Sequence, residues 1–120
     1  MGVTIGWWLI AVGFSTGAVF GILAQREDWL GGYASRTRRL ARLGHIALIA
    51  LGALNVVWPL TTTANSPMAP IIASFFVVGG MTMGPVCFLT AWRWSFRILF
   101  VIPSTALIFG AVLAGWESLP

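Results

Sequence analysis

A chain of 120 residues with 58% hydrophobic and 8% charged content lies outside the composition of soluble domains and reads as an integral membrane protein. Its formal charge of +4 comes from seven arginines and no lysine; these flank apolar blocks instead of forming a solvated basic surface, which excludes a nucleic-acid binder. The lone cysteine, Cys87, excludes an intrachain disulfide.

The first apolar block, TIGWWLIAVGFSTGAVFGILA, covers residues 4–24 and reaches the ~20 residues needed to cross a hydrocarbon core. It is expected to be retained, because the preceding residues are uncharged, the first basic residue is Arg26, and no small-residue cleavage pattern follows. Gly13, Gly17 and Gly21 recur every four residues, a small-residue stripe that lets another helix approach closely.

Residues 25–43, QREDWLGGYASRTRRLARL, form the one sizeable polar segment. Gly31 and Gly32 interrupt it, and Ser35 suits the cap of a basic helix. Arg36, Arg38, Arg39 and Arg42 are expected to meet anionic lipid headgroups, each contributing about 1 kcal/mol near a charged surface, or the acidic face of a partner protein. Glu27 and Asp28 offset part of that charge.

The second span, 44–60, carries the only histidine, His45, about one turn from the membrane boundary, and an amide, Asn55, well inside. In hydrocarbon an amide needs a hydrogen bond across a helix interface. Packing is the simpler role for Asn55, and lining a cofactor site is the alternative. The third span, 70–91, opens at Pro70 and repeats small residues through Ala73, Gly80, Gly84, Cys87 and Ala91. His45, Met83 and Cys87 reach similar depths and would form a soft-metal site if spans two and three are neighbours, although apolar packing explains Met83 and Cys87 equally well.

A short RWSFR link bearing Arg93 and Arg97 forces spans three and four into an antiparallel hairpin. The fourth span, 98–116, carries Ala106, Gly110 and Ala114. Pro85 and Pro103 are expected to kink their spans.

The expected fold is therefore a single all-α domain, an antiparallel up-down four-helix membrane bundle. Charge sets its expected orientation: all seven arginines lie in the 25–43 loop or the third-to-fourth link, which places both inside and both termini outside. Tryptophans agree, with Trp7, Trp8, Trp58 and Trp116 at one interface and Trp29, Trp92 and Trp94 at the other. A bacterial cytoplasmic membrane is the expected location.

No Asp, Glu or Lys lies securely within a span, which disfavours a transporter driven by an intramembrane ionisable relay. The leading functional expectation is a small accessory or structural subunit of a larger membrane complex, with a respiratory assembly suggested by size, class and the His45–Asn55 pair. The alternative is a haem b or quinone subunit using His45 and Asn55, with Arg42 or Arg97 meeting propionates or an anionic headgroup. A pore or carrier made by self-association is the third.

Overall fold

In the computed structural model, which describes residues 1–63 and 65–120, four helices are long and apolar enough to cross a membrane. They are α1 (Gly2–Leu23), α2 (Arg36–Thr61), α3 (Ala69–Trp92) and the stretch Trp94–Glu117, in which a 3-10 segment (Trp94–Phe100) leads into α4 (Val101–Glu117). Ala64, within the uncharged loop between α2 and α3, lies outside the described residues.

Helix α2 begins earlier than its apolar block because the basic segment continues the helix backward. At 26 residues it is about 39 Å long, more than the ~30 Å of a hydrocarbon core. Its first two turns, with Arg36, Arg38, Arg39 and Arg42, therefore project past the apolar stretch. Ser35 starts it: the hydroxyl oxygen accepts from the Arg38 amide at 3.1 Å, and the same hydroxyl donates to the Leu30 carbonyl at 2.5 Å. Three arginines in the opening turn oppose the positive end of the helix dipole, so the cap carries more than usual. Ser35→Ala is expected to destabilise the protein by about 1 kcal/mol, measurable as a lowered unfolding midpoint in detergent.

The chain enters α2 through a 3-10 turn, Trp29–Gly31, in which Leu30, Gly31 and Gly32 all take positive φ (52°, 84° and 94°). The glycines adopt that geometry freely, whereas Leu30 adopts it under strain.

Sequential neighbours pack together: α1 on α2, α2 on α3, and α3 on α4, with α1 also touching α3. The α1–α2 crossing is a backbone contact. A Cβ built on Gly6 would stand 2.6 Å from the Gly52 carbonyl, and one on Gly52 would stand 2.7 Å from the Gly6 carbonyl. Further along, Gly13 faces Ile49, and Gly17 faces the His45 ring. Between α2 and α3, Gly44 takes the Phe88 ring, Gly84 takes Leu48, and Gly80 meets Asn55 and Leu9. Gly110 of α4 receives Phe75 and Phe76 of α3. Ile72, Phe76, Cys87 and Ala106 are buried along these seams.

One expectation needs correction: Gly21 does not continue the α1 contact stripe, since a Cβ there would meet nothing within 4 Å. Pro103 lies inside the fourth span, two residues after the 3-10 segment Trp94–Phe100 gives way to α4 at Val101. Pro85 lies inside α3 as read, and α2 carries a further proline, Pro59, near its end.

Candidate functional site

The polar chemistry of the chain gathers at the arginine-bearing end of α1 and α2. There a cleft of about 260 Å³ is walled by Gly17, Phe20, Trp29, Tyr33, Arg38 and His45, with Gly21, Ala24 and Arg42 completing it. Each wall has a local cause. The positive-φ turn folds Trp29 and Tyr33 back over the start of α2, while Arg38 and Arg42, four residues apart, share a helix face beneath them. Gly17 leaves the space that the His45 ring fills.

Arg38 is only 6% exposed. Its Nη2 donates to the Ala24 carbonyl at 2.9 Å, tying the end of α1 to α2. Its guanidinium also lies 5.6 Å from the Trp29 ring and 5.5 Å from the Tyr33 ring. Each of these partners is formally neutral. Desolvating a charge costs several kcal/mol, and a cation over an aromatic face returns about 0.5–2 kcal/mol, so the site retains an uncompensated positive charge. Arg42 lies 4.6 Å from the same Tyr33 ring. As hydrogen-bond donor and as neighbouring positive charge, it holds the Tyr33 phenol below its ordinary range.

At the deep end, the His45 ring meets Phe20 edge-on at 5.9 Å, and Phe20 also touches Trp29 and Phe88 at 5.4 and 6.0 Å. His45 Nδ1 is buried without a hydrogen-bond partner, a deficit that buried polar atoms in folded proteins seldom carry. An adjoining apolar cleft of about 480 Å³ shares Phe20 and Trp29 as its wall and is also lined by Ala41 and Phe88.

Four further arginines have other surroundings. Arg36 and Arg97 both approach the Trp94 ring, at 4.1 and 5.1 Å, which ties the start of α2 to the α3–α4 link. Arg39 donates twice to the Ala34 carbonyl. Arg93 ends α3 in an extended conformation and is exposed.

The structure does not bring Asn55 to His45. The ten residues between them along α2 correspond to about 15 Å, and Asn55 is buried at the α1–α2–α3 seam, its Nδ2 donating to Leu51 O at 2.8 Å and Phe76 O at 3.0 Å. Neither Met83 nor Cys87 lines the His45 cleft, and no group of three His, Cys, Asp or Glu suited to a metal occurs among the described residues. Phe20 and Tyr33 escaped sequence reasoning. The available signal was WLGGY, two aromatics flanking a glycine turn just before the arginines.

A second cavity, about 740 Å³, runs between α3 and α4, lined by Ile71, Ser74, Phe75, Val78, Thr105, Ala106 and Phe109, among others. The Ser74 and Thr105 hydroxyls donate to carbonyls of their own helices, Pro70 and Val101, which leaves the groove largely apolar. Phe75 and Phe109 stack across it at 6.1 Å.

A compact apolar bundle, a charged cleft at one end and an open groove along one flank describe a multi-pass membrane protein. Comparisons with protein-family models, curated proteins and solved structures gave no significant match.

Proposed function

We propose that this chain is a small accessory subunit of a larger membrane assembly, seated in a bacterial cytoplasmic membrane with its arginine-bearing end toward the cytoplasm. A respiratory complex is the proposed setting. The groove between α3 and α4 carries the reading. Helix association in lipid depends on close packing over small residues, and the groove exposes Ser74 and Thr105 beside the stacked rings Phe75 and Phe109. That pattern suits one transmembrane helix of a partner subunit.

Thr105 tests the proposal because it is exposed and lines the groove. Thr105→Phe is expected to release the chain from its complex in gentle detergent, while the near-isosteric Thr105→Val leaves the complex intact; native electrophoresis and light scattering measure the mass. A wild-type chain that runs as a single free copy when extracted from its own membranes contradicts the proposal.

The haem b alternative fits less well. A volume of about 260 Å³ lies below the ~300–1,000 Å³ range of small-molecule pockets, and the chain offers one imidazole. For the pore reading, the Asn55 amide hydrogens are engaged by carbonyls of α2 and α3 instead of facing an aqueous path.

A further inference from the structure

We propose that the cleft at the arginine-bearing end of α1 and α2 is a specific site for one anionic phospholipid, with Arg38 and Arg42 holding the phosphate and Phe20 guiding the adjacent acyl chain. This is a narrower claim than diffuse attraction of a basic loop to a charged surface, and it is independent of the α3–α4 groove.

Charge comes first. Arg38 is buried at 6% exposure, and its partners are a carbonyl and two aromatic rings, none of them an anion. Arg42 lines the same cleft from the next turn. Two guanidiniums on one face match the oxygens of a phosphate, with planar donor sets suited to paired hydrogen bonds. The dipole points the same way, because Arg36, Arg38 and Arg39 crowd the positive end of α2 and an anion there relieves them.

Shape comes second. The charged cleft of about 260 Å³ has the scale of a headgroup, and the apolar cleft of about 480 Å³ shares its Phe20 and Trp29 wall. The apolar cleft on the other side of that wall offers a lipid chain an adjacent apolar surface that free phosphate would not use. His45 closes the deep end with the Cδ2–Nε2 edge of its ring beside Gly17, while its Nδ1 is buried with no open surface toward the cleft.

Gly21 provides a test that spares the fold. It lines the cleft, yet a Cβ there would meet nothing within 4 Å, and leucine is a better helix former than glycine. Gly21→Leu therefore starts its side chain in open space at the cleft wall, with a Cβ that meets no helix. The full chain, delipidated in neutral detergent, would be titrated with phosphatidylglycerol, phosphatidylcholine or inorganic phosphate and followed by native mass spectrometry and thermal unfolding.

The wild type is expected to retain one phosphatidylglycerol with at least about tenfold preference over phosphatidylcholine. Arg42→Gln should weaken retention about tenfold, and Gly21→Leu should abolish it with unchanged circular dichroism. Equal retention of the two lipids, or undiminished retention by Gly21→Leu, overturns the site. Inorganic phosphate binding as tightly as the lipid, or a quinone retained in its place, overturns the lipid assignment.

Discussion

Gly52→Val is expected to lower the stability of the folded protein by about 3 kcal/mol or more, the largest loss from any single substitution considered. The reason is what stands opposite. A Cβ at Gly52 would lie 2.7 Å from the Gly6 carbonyl and 3.0 Å from the Ile10 amide nitrogen, both backbone atoms that no side-chain rotation can move. The helices must separate, and the Gly13–Ile49 and Gly17–His45 contacts loosen with them. Gly6→Ala is expected to show the same effect in milder form, whereas Gly21→Ala, one helix end away in open space, is expected to be neutral or slightly stabilising, by up to about 1 kcal/mol. Unfolding midpoints of the three variants in one detergent provide the comparison. A Gly52→Val protein as stable as Gly21→Ala contradicts the backbone crossing.

Asn55→Leu is expected to cost about 1–2 kcal/mol. Asn55 is 3% exposed, and its amide bridges α2 to the Phe76 carbonyl of α3 at 3.0 Å. A partner change isolates the bond from simple packing. A Cβ at Gly80 would stand 3.0 Å from Asn55 Nδ2, so Gly80→Ala pushes directly on this amide. Gly80→Ala and Asn55→Ala are therefore expected to be less than additive, with a coupling of about 0.5 kcal/mol or more. Strict additivity in equilibrium unfolding contradicts a shared seam. Asn55→Leu that is as stable as the wild type removes the amide from the packing account altogether.

Much of the bundle could be read from residue patterns alone. Four uninterrupted apolar stretches fixed the helices, and Ser35 and Pro70 marked two of their starts for reasons local to the chain: a hydroxyl able to cap, and a ring tolerated in a first turn. The contact register was less legible. Gly13, Gly17 and Gly21 form one evenly spaced stripe on paper, but α2 follows it only through Gly17, and the closest backbone approach falls outside it, at Gly6 and Gly52. Crossing angle decides which members of a stripe are used, and crossing angle is a property of two helices together. The cleft was hidden for a similar reason. His45 and the arginines were visible individually, but the positive φ of Leu30 and the reach of Arg38 to Ala24 bring distant positions together.

Because α1, α2, α3 and α4 each rest mainly on the next in sequence, every span meets a partner soon after it is synthesised. The Gly6–Gly52 contact needs only the first two spans. Assembly can thus advance stepwise from the amino terminus, with little loop-closure entropy deferred to the end.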